Sequence, residues 1–173
     1  MAEEEGVLGA EEQQANVGDD TPQFAVLMQY VKDLSFENPN APAVYQWQGQ
    51  PNIDVQVNIG TQVAGENVHE VVLKIDVTAR AAEGVAFRVD LLYAGLFGLR
   101  NIPAEQMQPA LLAEAPRLLF PFARRAVADA VSEGGFPPLL LDPIDFAALY
   151  MQRAAQAHAE ADGGQAPEVT GQA

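Results

Sequence analysis

His69-Glu70-Val71-Val72-Leu73-Lys74-Ile75-Asp76-Val77-Thr78-Ala79-Arg80-Ala81-Ala82-Glu83-Gly84-Val85-Ala86-Phe87-Arg88-Val89-Asp90-Leu91-Leu92-Tyr93 decides the fold. Val71, Leu73, Ile75 and Val77 share one side of a period-two repeat, with Glu70, Lys74, Asp76 and Thr78 mostly on the other. After Ala82-Glu83-Gly84 the alternation resumes, with Val85, Phe87, Val89, Leu91 and Tyr93 against Ala86, Arg88, Asp90 and Leu92. Two such runs joined by so short a turn form an antiparallel pair, because a parallel pair needs a crossover of a dozen or more residues. Upstream, Ile53, Val55, Val57 and Ile59 alternate with Asp54, Gln56 and Asn58, which predicts a strand with one buried and one wet face. The segment Gly60–Asn67 is expected to supply the turn that follows.

The run Phe24–Val31 completes four strand candidates. It is rich in β-formers but also admits a short helix, since periodicity alone does not separate the two in a short apolar run. Glu37-Asn38-Pro39-Asn40-Ala41-Pro42 ends it, as proline suits neither a ladder nor a helix interior. Helical patterns follow. Pro103-Ala104-Glu105-Gln106-Met107 starts one, and Pro116 and Pro121 are expected to break or kink it. Phe122, Ala126, Val127, Ala130 and Val131 have helical spacing up to Gly134-Gly135, and a last helix is expected from Asp142-Pro143 through Phe146, Leu149, Tyr150 and Arg153. Strands first and helices afterwards define an α+β chain.

Between Glu133 and Asp142 there is no charge, and the loop holds Phe136 and Leu139-Leu140-Leu141. Either it is packed away or it touches something apolar. The alanines Ala123, Ala126 and Ala130 present either a close-packing interface or simple helix propensity, the first reading being favoured.

With 173 residues, one domain is expected. Residues 1–21 are acidic, with seven carboxylates and no Lys or Arg before Thr21, and 161–173 are rich in Gly, Ala and Gln; both are expected to be disordered flanks of a folded part at 22–160. The net charge of −15 opposes binding to nucleic acid and to anionic membranes; it either steers a basic partner or serves solubility alone. Absence of cysteine excludes disulfides and thiolate sites and fits a reducing cytoplasm. No signal peptide and no apolar run near the ~20 residues of a membrane span are visible, so a soluble intracellular protein is expected. His69 and His158 lack partners at metal-ligand spacing, and neither a GxSxG elbow nor a phosphate-binding glycine loop is present, so no catalytic residue, metal or cofactor is assigned.

Tyr30-Val31-Lys32-Asp33-Leu34-Ser35-Phe36-Glu37-Asn38-Pro39-Asn40-Ala41-Pro42 resembles the opening motif of SecB, the bacterial protein-export chaperone. His69–Leu73, Leu119-Phe120-Pro121-Phe122-Ala123-Arg124 and Gly135-Phe136-Pro137-Pro138-Leu139 resemble its later motifs in the same order, over about residues 22–152. The resemblance implies a four-stranded antiparallel sheet followed by two helices, assembled as a homotetramer, a dimer of dimers, with the long helix at its centre. It further implies an ATP-independent cytoplasmic chaperone that holds unfolded preproteins and delivers them to the SecA motor ATPase. A client groove should be apolar, aromatic and open to extended chain. Its candidates are Phe36, Tyr45, Trp47, Phe136, Leu139, Leu141, Phe146, Leu149 and Met151, with Phe136 and Leu141 favoured because they lie in the loop. Val57 is considered with them but expected to be plain core, and ordinary core is the alternative for each. The positions matching the family's SecA contact are Asp33, Glu37 and Asp90, each of which also reads as a solvated carboxylate; Arg88 stands where that contact face is expected to be apolar. The family's acidic tail engages a basic, zinc-bearing SecA segment, and the tail here carries only Glu160, Asp162 and Glu168. Two other jobs fit the same pattern: a SecB-like chaperone guarding an antitoxin, and an acidic scaffold subunit with one fixed partner.

Overall fold

The computed structural model describes Asp20–Asp162. Most of the acidic segment 1–21 and of the tail 161–173 lies outside the described residues. Strands β1 (Gln23–Glu37), β2 (Asn52–Gly65), β3 (Val68–Arg80) and β4 (Val85–Arg100) form one antiparallel sheet in the order β1-β4-β3-β2. Helix α1 (Ala104–Pro109), a π-helical turn (Ala110–Glu114) and α2 (Ala115–Glu133) follow without a gap, and α3 (Phe146–Asp162) comes after the loop. The expected α+β order of four strands and then helices is the observed one.

The register explains why one face is buried. Val71, Leu73, Ile75, Val77 and Ala79 of β3 lie opposite Gly95, Tyr93, Leu91, Val89 and Phe87 of β4, so both strands present apolar side chains to α2. Leu119, Ala123, Val127 and Val131, at helical spacing on α2, are fully buried against them. Gly95 marks the closest approach: a Cβ there would stand 2.8 Å from Leu119 Cδ2 and 2.8 Å from Phe97 Cε2. Ala123 is therefore a core residue of the single chain and not the free interface position expected of it, while Ala126 and Ala130 stay half-buried.

Three local expectations change. The helix is not broken at Pro116: the wide π turn, in which the Ala115 N–H reaches the Ala110 carbonyl, precedes the proline, and Pro116 falls in the first turn of α2, where its missing N–H costs least. β2 continues to Gly65, so the turn shrinks to Glu66-Asn67, with Asn67 at φ 56°. That left-handed conformation suits asparagine better than most residues. The last helix starts at Phe146, capped by Asp145, whose Oδ1 accepts the Ala148 N–H at 2.9 Å; Asp142-Pro143 remains in the loop.

On the sheet's outer face Glu70 is the buried charge, at 4 % exposure. Lys32 Nζ donates to both its oxygens, at 2.9 and 2.8 Å, and Tyr30 Oη and Gln62 Nε2 also donate to it. Tyr30 and Lys32 belong to β1 and Glu70 to β3, so these bonds span β4, where Ala94 lies opposite Tyr30 and Leu96 opposite Glu70. Glu70 is shut from water by the side chains laid over it, not by depth. The donors, led by Lys32 and Tyr30, therefore hold its carboxyl below the usual range against a smaller opposing effect of desolvation. The same hydrogen bond pushes Tyr30 up to about 12.

A carboxyl depressed on folding adds stability above its unfolded pKa, and that stability is lost as pH falls through and below it. Glu70→Gln should cost about 1–3 kcal/mol near neutrality, read by urea unfolding. It should also flatten the decline of stability between neutral and acidic pH; a variant with the wild-type pH dependence would contradict this role.

Candidate functional site

The loop after α2 folds back on the inner face of the sheet. Gly134 ends the helix, and Gly135, at φ 82°, turns the chain so that Phe136 points back. Phe136 meets Phe87 at 4.9 Å between ring centroids, Tyr45 at 5.6 Å and Phe36 at 6.4 Å. Phe36 in turn stacks on Phe87 at 6.0 Å. The strand ends of β1 and β4, the short 3-10 turn Ala43–Gln46 and the loop thus share one aromatic cluster. Tyr45 fixes the junction a second way: its hydroxyl donates to the Gly134 carbonyl at 2.8 Å while accepting from Asn38 Nδ2 at 2.8 Å.

Beside this cluster lies an open cavity of about 380 Å³, lined by Val44, Tyr45, Trp47, Gly49, Gln50, Pro51, Ala81, Ala86, Gly135, Phe136 and Pro137. No lining side chain is charged. Volume and character match a site that takes an apolar side chain and has room for main chain on either side.

Of the residues expected in a groove, Tyr45, Trp47 and Phe136 line this cavity and Phe36 backs Phe136. Leu139 is half-buried against the core. Leu141 and Phe146 are 6 % and 2 % exposed, so both anchor the core in the single chain; it is Leu140, at 66 %, that the loop turns outward. Leu149 lines a second cavity of about 230 Å³ with Ile59, Leu112, Tyr150 and Arg153. Met151 is 66 % exposed and lines neither. Val57, expected as plain core, is half-buried on edge strand β2. Sequence reasoning missed Val44, Pro51, Ala81 and Ala86, which are small or isolated and carry no periodic signal; the Gly49-Gln50-Pro51 turn was the available clue.

The acidic candidates gather on the outer face, away from the cavity. Asp33 lies opposite Leu92, Glu37 opposite Arg88, and Asp90 opposite both Ser35 and Asp76. Partial desolvation, then the hydrogen bond with Asp76 and its charge, raise the Asp90 carboxyl above the usual range. Lys74 pulls the other way, forming an ion pair with Asp76 at 3.3 Å. Arg88 is exposed. His69 is half-buried with Nδ1 unpartnered and His158 is exposed; among the described residues no group of three His, Cys, Asp or Glu could hold a metal. No helix among them is long and apolar enough to cross a membrane.

A sheet covered on one face only, bearing an open aromatic cavity without charge, has the surface of a binding protein rather than of a closed core. A family model described as preprotein translocase subunit SecB matches residues 17–157. The protein-export protein SecB of Zymomonas mobilis is 64 % identical over 138 residues, covering 80 % of this chain and 84 % of its own. That of Rhizorhabdus wittichii is 58 % identical over 169 residues, covering 98 % and 100 %. Among solved structures, a SecB-like chaperone of Mycobacterium tuberculosis, in complex with a peptide from an antitoxin, superposes with a TM-score of 0.58 at 16 % identity, covering 70 % of this chain and 90 % of that one, which shows the shared fold. The chain belongs to the SecB family and serves protein export as a chaperone of that family.

The α2–loop junction leaves no room at Gly134: a Cβ there would lie 2.1 Å from Phe36 Cζ. Gly134→Ala should therefore displace Phe36 and cost about 1–3 kcal/mol in urea unfolding. It should also shift the emission of Trp47, the single tryptophan, which lines the adjoining cavity with Tyr45 and Phe136. Unchanged stability and emission would show that the cluster repacks freely.

Proposed function

We propose that the cavity under Phe136, Tyr45 and Trp47 is where unfolded preproteins are captured. The chaperone holds them in the cytoplasm without ATP and without making or breaking a bond, and passes them to SecA. The observation that carries this reading is the cavity itself: about 380 Å³, aromatic, uncharged and open at its sides. Apolar side chains gain roughly 1.5–3 kcal/mol each on such burial, and a folded polypeptide offers none. Leu139 and Leu149 extend the apolar surface, and Leu141 and Phe146 support it from the core. Met151 is exposed on α3 for a longer client.

Assembly as a homotetramer, a dimer of dimers, is supported by β1. This strand is an open sheet edge, and it exposes Val26, Leu27, Met28, Val31 and Leu34 in the single chain. An edge so long and apolar is a template for pairing unless another copy covers it. SecA docking is supported by the outer face, where Asp33, Glu37 and Asp90 come together with Asp54 and Asp76 on neighbouring strands. A partner for such a face is basic.

Titration with one polypeptide in folded and in reduced, carboxymethylated form should shift Trp47 emission with the unfolded form alone. Trp47→Asp, read by calorimetry, should weaken that binding at least tenfold, because the charge must be desolvated in an apolar site, while circular dichroism stays native. Equal binding of the folded form, or undiminished affinity in the variant, would overturn the capture site. Asp33→Lys combined with Asp90→Lys should abolish SecA binding in a pull-down and leave capture of the unfolded polypeptide unchanged. Normal SecA binding by the double variant would sink the assignment of that face.

A further inference from the structure

Strand β2 is the second open edge of the sheet; among the described residues it pairs with β3 alone. In an antiparallel ladder, alternate residues turn both N–H and C=O away from the partner strand. The Val57 carbonyl accepts a hydrogen bond from Arg153 Nη2 at 3.1 Å, which points to Val57 as one of these. The register between β2 and β3 is unbroken from Asn52 to Val63, so Val55 and Ile59 present their backbone groups outward in the same way. Their side chains lie on the helix side of the sheet, where Ile59 borders the second cavity of about 230 Å³ with Leu112, Leu149 and Tyr150. An extended chain laid along this edge would therefore find backbone partners and an apolar recess at the same time.

Helix α3 lies beside that approach, with Leu149 packed against the core and lining the recess. Phe146, 2 % exposed, is its root, packed edge-on to Phe120 at 5.7 Å. Arg153 is its outer tie; Ala154 is half-buried, and from Ala155 to Glu160 every residue is exposed. The loop 137–145 before Phe146 has no regular structure.

We propose that Arg153 is a latch on client entry: its guanidinium occupies the Val57 carbonyl that an extended apolar polypeptide needs to add to β2 as a fifth strand, so α3 must release this bond before the edge can be used. The proposal rests on the reading that the protein binds unfolded polypeptides. A latch makes the receptive state a minority, and apparent affinity falls by the fraction of molecules that are open. One charge-assisted bond at an exposed site holds the closed state by roughly three- to tenfold.

The test uses the full chain, Arg153→Ala and Arg153→Lys, titrated with a reduced, carboxymethylated polypeptide, with hydrogen exchange followed at the amides of Val55, Val57 and Ile59. Arg153→Ala should bind roughly three- to tenfold tighter, Arg153→Lys should stay near wild type, and the three amides should gain protection when the polypeptide binds. Equal or weaker binding by Arg153→Ala beside normal wild-type binding, or edge amides left unprotected in the complex, would overturn the latch and leave capture at the aromatic cavity standing. Absence of binding by the wild type would overturn the capture reading and the latch with it.

Discussion

One sheet has two faces and two edges, and a single helical layer covers only one face. The rest of the molecule follows from that shortfall. Leu119, Ala123, Val127 and Val131 of α2 seal the inner face over β3 and β4, drawn close at Gly95. The outer face has to meet water, so it carries Asp54, Asp76, Asp90, Arg88 and Lys74 at alternate positions. Edge β1 is left bare with apolar side chains, and edge β2 is partly shielded by Arg153. Stability comes from the covered face, and the surfaces available for partners are those left over.

The aromatic cavity belongs to the same economy. Phe136 is a core residue on one side, against Phe87, and a wall of the cavity on the other. Its position is set by a helix end at Gly134, a left-handed Gly135 and the Tyr45 hydroxyl bonded to the Gly134 carbonyl. Cavity wall and core are continuous here, so the cavity is built on rigid neighbours without a dedicated scaffold. By contrast, α3 is held through Phe146, Leu149 and the Arg153 bond but is exposed from Ala155 to Glu160, and such weakly tied segments are the ones that move.

What was legible in the sequence follows the physics of burial. Strands β3 and β4 alternate cleanly because one face is sealed and the other wet, and their period is visible without a structure. β1 resists because both its sides are apolar and its register shifts between Val26 and Met28 and again between Val31 and Asp33, which blurs any period-two pattern. Phe36, Tyr45, Trp47 and Phe136 were legible as a group through the family resemblance, and the chain brings them together. Leu141 was not separable from Leu140, since three successive leucines in an irregular loop carry no period, and only the fold turns one in and its neighbour out. Pro116 was misleading for a related reason: sequence shows a breaker, while the π turn that accommodates it is a property of backbone packing.

Charge completes the division of labour. Asp76 and Asp90 oppose each other directly across β3 and β4. Like charges so placed destabilise a sheet, and Asp76 adds to the effect of burial in raising the Asp90 carboxyl. Lys74 relieves it only in part, since it lies beside Asp76 at 3.3 Å. A cationic partner on the outer face would gain twice, by meeting the carboxylates and by relieving their mutual repulsion. Because that face looks away from Phe136, a cationic group bound there and an apolar group in the aromatic cavity would not compete for the same surface. The fold thus separates an acidic face from an apolar, aromatic surface, and the thickness of one sheet lies between them.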